Sequence, residues 1–271
     1  MAVITISRGS YSKGREVAEK TAARLGCQVV SRDVLIEASD RFHIPEIRLV
    51  RAIHDAPSIL ERFTHGKQSY LAYIQSALVS RAVKDNLVYH GLAGHLLLKG
   101  IPHVMRVRII ANLDDRVAAE MKREGISSAK ARSLLLKDDA ERRSWTQGIY
   151  GVDPWDPALY DLVIHVDKLT VDDAVDIIVD AQGRDCFQAT PESQQQIEDL
   201  NLACRIKAAL VENDCIDLAV ACEYGNVVIY TKQGCRHSHR IEQTVARLRR
   251  EIDEINHLEV YEGLPSPPHA V

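Results

Sequence analysis

Residues 4–25 read ITISRGSYSKGREVAEKTAARL, and this stretch decides the fold. It begins with an apolar, partly β-branched run around Ile4 and Ile6, which predicts a buried strand ending at Ser7. After Gly14 the apolar residues recur at helical spacing, which predicts an amphipathic helix. A strand, a glycine-bounded loop and a helix in this order present backbone N–H groups to an anion. The sequence therefore predicts a phosphate-binding loop near its start.

The loop matches the spacing G-x-x-x-x-G-K-[ST] at both glycines, Gly9 and Gly14, and departs from it at the next two positions. Arg15 replaces the lysine and Glu16 replaces the hydroxyl that would bind Mg²⁺. Arginine keeps a permanent charge and a planar fork suited to phosphate, so phosphate binding is favoured over metal-assisted transfer. The residues predicted to contact the bound phosphates run from Gly9 to Glu16 and include Ser10, Tyr11, Ser12 and Lys13.

Length and composition predict one large domain, or a large domain and a small one. The chain has 271 residues, of which 46% are hydrophobic, and this suffices for a sizeable core. The formal net charge of −4 argues against a general nucleic-acid binder and favours a small charged ligand.

The six cysteines form no C-x-x-C pair and show no metal-ligand spacing with the eleven histidines. We therefore expect reduced thiols and no metal site built from protein ligands. No apolar stretch approaches the ~20 residues that span a bilayer, and no secretory signal pattern is evident. The expected location is the cytoplasm.

Four further apolar runs alternate with helical patterns, at residues 27–30, 87–89, 104–111 and 162–166. This alternation predicts an α/β domain over residues 1–183, with a doubly wound, five-stranded parallel sheet that binds ligands at its carboxyl edge.

Three polar residues lie near that predicted edge. Asp33 follows the second strand and fits either a helix N-cap or a ligand contact. His90 ends the third strand, where phosphate-transferring proteins often carry an aspartate, and His95 follows shortly after. Either histidine fits a general base, although a structural role is the commoner one for a histidine at a strand end.

Two polar regions fit mobile covers over such a site. Residues 41–67 contain two prolines and several arginines, including Arg51, and predict either a cap or ordinary connecting helices. Residues 127–143 predict a helix rich in both charges, which fits a solvated face or a lid whose arginines close on phosphate. Residues 145–161 hold both tryptophans and predict a packed loop, with stacking on a nucleotide base as the alternative.

The pattern changes after Gly183. Residues 184–196 are polar and predict a linker. Residues 197–262 follow the order αββαβ, with a hairpin turn at Gly225-Asn226, and predict a small α+β domain. Residues 263–271 contain three prolines and predict a flexible tail.

The opening residues 4–26, followed by SRDVLIEAS, resemble the cytidylate kinase-like family of the nucleoside monophosphate kinase superfamily. The family loop commonly reads S-R-x-Y-G-S-G-G-R-E-I-A, so Arg15 and Glu16 fit the family, whereas Tyr11 and Lys13 replace its usual glycines. The spacing Asp139-x-x-Arg142 and the segment YDLVIHVDKLTVDDAVDIIV are also similar to cytidylate kinases. The resemblance covers residues 1–182.

This resemblance implies a P-loop fold with lid helices and the ATP-dependent phosphorylation of a pyrimidine nucleoside monophosphate such as CMP or dCMP. Residues 9–14 would hold the donor phosphates, Mg²⁺ would bridge them, and Arg15 would neutralise the β- and γ-phosphates. The implied catalytic residues are Arg15, Asp139 and Arg142. The implied substrate contacts are Asp33, Arg51, Asp139 and Arg142.

The C-terminal unit resembles a BON domain in its order of elements and its VACEYGNVVIYT hairpin. BON domains bind membranes or small ligands, so the resemblance implies a regulatory or binding module for a small ligand or a protein partner. An alternative function stays open for the whole chain. Lys13, Arg15 and Glu16 also fit a nucleotide-binding regulatory protein without efficient phosphoryl transfer.

Overall fold

The computed structural model describes residues 2–9, 12–31, 33–42, 64–84, 86–232 and 238–271. Its larger sheet is parallel and has the strand order β2-β3-β1-β4-β5. This confirms the predicted five-stranded, doubly wound sheet. The strands are β1 (Val3–Arg8), β2 (Gln28–Val30), β3 (Leu87–His90), β4 (Val104–Ile110) and β5 (Leu162–His165).

Successive strand residues point to opposite faces of this sheet. Helices cover both faces because the strands carry apolar side chains on each. Ile4 and Ile6 of β1 pack with Val17 and Ile178 on one face, whereas Val3 packs on the other. The helices around the sheet are α1 (Gly14–Leu25), α2 (Asp33–Phe42), α3 (Thr64–Ala82), α4 (Gly94–Leu97), α5 (Leu113–Glu124), α6 (Ser128–Tyr150) and α7 (Val171–Gln182).

Local sequence signals set several helix ends. Gly26 ends α1 with φ 67°, a left-handed conformation that glycine adopts without strain. Thr170 and Asp173 form a capping box at the start of α7, each side chain accepting a hydrogen bond from the other residue's backbone N–H.

Two boundaries in the larger unit differ from the prediction given above. Strand β1 continues through Arg8 because Ser7 and Arg8 still pair with β4. Helix α6 continues to Tyr150, so Trp145 lies in a helix and the prediction of a packed loop was wrong there. The extension is stabilised because Trp145 is only 2% exposed within the apolar core.

The C-terminal unit has the predicted αββαβ order. Its elements are α8 (Pro191–Glu212), β6 (Leu218–Glu223), β7 (Asn226–Thr231), α9 (Ser238–Glu251) and β8 (His257–Glu262). Strand β7 is central, antiparallel to β6 and parallel to β8. The hairpin turn lies at Tyr224 and Gly225, whose backbone N–H groups donate to the buried Asp199 carboxylate at 2.8 and 3.0 Å.

Helix α8 joins the two units. It begins at Pro191, inside the predicted linker, behind a capping box formed by Thr190 and Ser193. Ile197 and Cys204 of α8 pack in the core of the larger unit, whereas Ile206 packs in the core beneath the smaller sheet. Residues 191–196 are therefore helical, and the proposed division into domains at residues 183 and 197 remains a prediction.

Polar contacts reinforce this junction. His103 Nδ1 lies 2.8 Å from Ser193 Oγ in a buried hydrogen bond, and Ser80 Oγ donates to Asn201 Oδ1 at 2.9 Å. Residues on α3 and before β4 are thus bonded directly to α8.

The predicted flexible tail is attached at its last residue. Val271 exchanges two backbone hydrogen bonds of 2.9 and 3.0 Å with Val220 of β6, the edge strand of the smaller sheet. Within the described ranges, no helix combines the length and apolarity needed to cross a membrane.

Candidate functional site

Gly9 and Ser12, in the loop between β1 and α1, are hydrogen bonded to each other at the carboxyl edge of the larger sheet. The Ser12 backbone N–H and hydroxyl both donate to the Gly9 carbonyl, at 3.4 and 3.0 Å. Lys13 has φ 61° immediately before α1, and its side chain gives the helix no cap, so amides at the helix N-terminus remain available to an anion. Ser10 and Tyr11, also predicted to contact phosphate, lie outside the described residues.

Gly14 is held close to β1. A Cβ atom added at Gly14 would lie only 2.7 Å from the Arg8 Cβ and 3.0 Å from its Cδ. The glycine is therefore required because the Arg8 side chain occupies the space where another side chain would begin.

One cation beside the loop was not predicted from the sequence. Arg116, in the first turn of α5, has its guanidinium Cζ 3.5 Å from the position of a Cβ on Gly9. Its two terminal nitrogens donate to the Asp139 carboxylate at 2.8 and 3.0 Å. The two side chains are 10% and 16% exposed, so this bidentate pair is mostly buried. A signal was present, because Arg116 closely follows β4 at the ligand-binding edge.

Arg142 and Asp139 approach the loop from α6. They are three residues apart and therefore lie on one helical face. Arg142 Nη1 donates to the Arg8 carbonyl at 3.4 Å. Two of the three predicted catalytic residues, Asp139 and Arg142, thus lie with the phosphate loop.

Arg15 and Glu16 lie on the surface of α1. The Arg15 side chain is 72% exposed, and its Nε donates to Glu19 at 2.8 Å. This hydrogen bond with Glu19 raises the pKa of Arg15. Glu16 lies 3.5 Å from Lys20. The proposed phosphate contacts of Arg15 and Glu16 remain predictions.

Two predicted substrate contacts concern parts that the structure does not describe. Helix α2 begins at Asp33, but the Asp33 side chain lies outside the described groups. Arg51 falls in residues 43–63, which are also outside them. Both roles remain predictions.

His95 belongs to a buried polar cluster beneath the sheet edge. Its Nε2 lies 3.3 Å from the Tyr160 hydroxyl, which donates to the Pro154 carbonyl at 2.9 Å and accepts from Arg108 Nη1 at 3.3 Å. Burial, together with Arg108 and Arg106, lowers the pKa of His95 to about 4. A base of that pKa is weak at neutral pH, which favours the structural role. His90, at the end of β3, is buried as well.

Arg143, in the second half of α6, contacts the segment that follows the helix through a cation–π contact and an ion pair. The Arg143 guanidinium lies 4.3 Å from the centroid of the Trp155 ring and pairs with Asp153. Hydrogen bonding to Arg143 lowers the pKa of Asp153. Trp155 remains 49% exposed. Its predicted stacking on a nucleotide base is untested.

The sequence profile of the cytidylate kinase-like family matches residues 3–168, which include the loop and the Arg116, Asp139 and Arg142 cluster. That match spans more than half of the chain. The chain belongs to the cytidylate kinase-like family.

Individual relatives are distant. The chain is 26% identical over 182 residues to a cytidylate kinase of Pyrobaculum aerophilum, a match that covers 66% of this chain and 92% of that protein. It is 31% identical over 103 residues to a uronate isomerase of Corynebacterium glutamicum, covering 38% of this chain but only 20% of that protein. A solved, uncharacterised protein of Eubacterium ventriosum shares the fold with a TM-score of 0.53 at 21% identity, covering 68% of this chain and all of that one.

Proposed function

We propose that this member of the cytidylate kinase-like family transfers the γ-phosphoryl group of ATP to a pyrimidine nucleoside monophosphate such as CMP or dCMP. The observation that carries the proposal is the cluster of Arg116, Asp139 and Arg142 against the loop of residues 9–14. It combines backbone donors, fixed cations and a helix N-terminus, which are the groups that bind phosphate.

In the proposed reaction, an oxygen of the acceptor phosphate attacks the γ-phosphorus, and the bond to the β–γ bridging oxygen breaks to release ADP. The protein contributes positioning and charge rather than a covalent nucleophile. Asp139 holds the Arg116 guanidinium beside Gly9, so this cation is oriented before substrate arrives. Arg142, on the same helical face as Asp139, would contact the acceptor or transferred phosphate.

The proposal includes Mg²⁺ bound together with ATP. Within the described residues, no group of three histidine, cysteine, aspartate or glutamate side chains could hold a metal ion. The site fits Mg²⁺ nevertheless, because this ion takes many of its ligands from nucleotide phosphates and water. When bound, it would neutralise charge on the β- and γ-phosphates.

A nucleotide-binding regulatory protein is the second candidate function. It is favoured by the position of Arg15, which replaces the usual lysine yet pairs with Glu19 on the surface of α1. In this alternative, ATP binds and transfer is slow. Under either function, the C-terminal αββαβ unit would be a BON-like module that binds a small ligand or a protein partner.

Calorimetric titration separates these functions at the level of binding. ATP–Mg²⁺, CMP, dCMP and UMP are titrated separately into the full chain. The kinase proposal expects saturable binding of ATP and of at least one monophosphate. Binding of ATP alone favours the regulatory alternative, and no binding of any nucleotide contradicts both.

A further inference from the structure

A cavity of about 1170 Å³ lies where the larger unit meets the smaller sheet and the C-terminal tail. This volume is slightly above the roughly 300–1,000 Å³ usual for small-molecule sites. The cavity is separate from the described residues of the loop, Gly9 and residues 12–14, none of which lines it. Apolar side chains contributed by different elements form much of its wall, including Leu71, Leu97, Ile149, Leu200, Leu218 and Leu264.

Lys207 of α8 brings a positive charge to this wall. Its side chain is half-buried, and burial lowers the pKa of its ammonium. No described residue forms a hydrogen bond or an ion pair with Lys207 in the structure. The neighbouring Cys204 does not supply a counter-ion, because burial raises the pKa of its thiol to about 12.

None of the described side chains that line the cavity pairs with Lys207. Asp217 is the one carboxylate side chain among the described lining residues, and it pairs with Lys232 at 3.3 Å. Lys99 adds a further cation to the wall. An ammonium partly removed from water without a counter-ion is unfavourable, so an anion that enters the cavity would stabilise it.

We propose that this cavity binds a small amphipathic carboxylate, with its apolar chain against the leucine-rich wall and its carboxylate at the Lys207 ammonium. One carboxylate supplies the single negative charge needed to pair with the Lys207 ammonium. An apolar chain would also bury the apolar wall of the cavity, whereas a free phosphate or another fully polar anion would leave that wall exposed to water.

The test compares decanoate with decanol by calorimetric titration of the nucleotide-free full chain. The two ligands share an apolar chain of the same length and differ in charge. The expected result is one decanoate site per chain and weaker binding of decanol. Lys207→Met should weaken decanoate binding by about tenfold and abolish the preference over decanol, since one charge-assisted contact is removed. Equal decanoate affinity in the parent and Lys207→Met overturns the proposal, as does equal affinity of the parent for both ligands.

Two further variants locate the site. Lys122→Met removes an exposed lysine of α5 that does not line the cavity and should leave decanoate affinity unchanged. Ala219→Trp fills the cavity from strand β6 and should abolish the binding of both ligands while the circular dichroism spectrum stays that of the parent. Undiminished decanoate binding by a folded Ala219→Trp protein contradicts the location. Because no nucleotide is present, these outcomes are independent of phosphoryl transfer.

Discussion

Arg116 on α5 and Asp139 on α6 are joined by two parallel hydrogen bonds, and the guanidinium they orient lies beside Gly9. This pair connects the two helices that follow β4 and fixes a cation beside the predicted phosphate loop. Removing one partner of a mostly buried ion pair leaves a buried charge uncompensated and strongly destabilises the folded protein. The role of this pair is therefore best tested by substitutions that keep the charge.

Arg116→Lys should weaken binding of ATP–Mg²⁺ by about tenfold, because a lysine keeps the charge but cannot reproduce the planar fork that Asp139 orients. Arg15→Lys is the matched control, since Arg15 is exposed and pairs with Glu19. Calorimetric titration gives both affinities. A loss in Arg15→Lys as large as that in Arg116→Lys would contradict the special role of Arg116, because both arginines would then contribute equally to ATP binding.

Gly14→Ala should lower the free energy of unfolding by about 1–3 kcal/mol, because the added Cβ meets the Arg8 side chain and forces it to shift. Gly9→Ala should change it by no more than about 0.5 kcal/mol, since the nearest contact is an ordinary one with the Arg116 guanidinium. Urea unfolding compares the two variants. Equal destabilisation by both would contradict the packing described around Gly14.

The low pKa of His95 predicts a loss of stability in acid. The buried ring binds its proton with a pKa of about 4, whereas the unfolded chain binds it near 6.5. The unfolded state therefore holds more protons between these values. The stabilising contribution is full above about pH 6.5 and declines by roughly 3 kcal/mol as the pH falls to 4.

His95→Gln should reduce this pH dependence because glutamine does not titrate. The measurement is the free energy of urea unfolding between pH 4 and 7 for the parent and the variant. The same pH slope in both proteins would exclude His95 as its source.

We expect the two units to unfold together, because α8 packs in the cores of both. Both tryptophans, Trp145 and Trp155, lie in the larger unit, whereas Ile206 packs in the core of the smaller one. Ile206→Ala should nevertheless lower the free energy of unfolding, as followed by tryptophan fluorescence, by about 2–5 kcal/mol.

Val260→Ala is the control for this shift. Val260 lies in the same unit but is 40% exposed, so its truncation should cost no more than about 0.5 kcal/mol. An unchanged tryptophan transition in Ile206→Ala would show that the units unfold independently.

Apolar runs were sufficient to predict the larger sheet, because its strands are covered on both faces. Periodicity predicted the αββαβ unit, whose elements pack one face against a shared core. Helix α8 was predicted to start at Ile197, but its first turns are polar and are anchored by Thr190 and Ser193. Such a helix start is stabilised by capping and by contacts with another unit, including His103. Apolar periodicity carries no sign of either.

The site was only partly predictable for a related reason. Asp139 and Arg142 form a local pattern, whereas the pairing of Arg116 with Asp139 joins residues 23 positions apart, which no local pattern reveals. The sequence also could not show that Lys13 adopts the left-handed conformation, with φ 61°, at a position where the family commonly has glycine. The direction of the Arg15 side chain was also not predictable, because its position in the loop pattern does not reveal its pairing with Glu19.

The most direct test of the proposed kinase function is a coupled assay of ADP formation with ATP–Mg²⁺ and CMP, dCMP or UMP at saturating concentrations. The proposal predicts ADP formation that requires one of these monophosphates, with production of the matching diphosphate and a reduced rate in Arg116→Lys. ATP that binds but yields no monophosphate-dependent ADP would contradict the kinase function and leave the regulatory alternative.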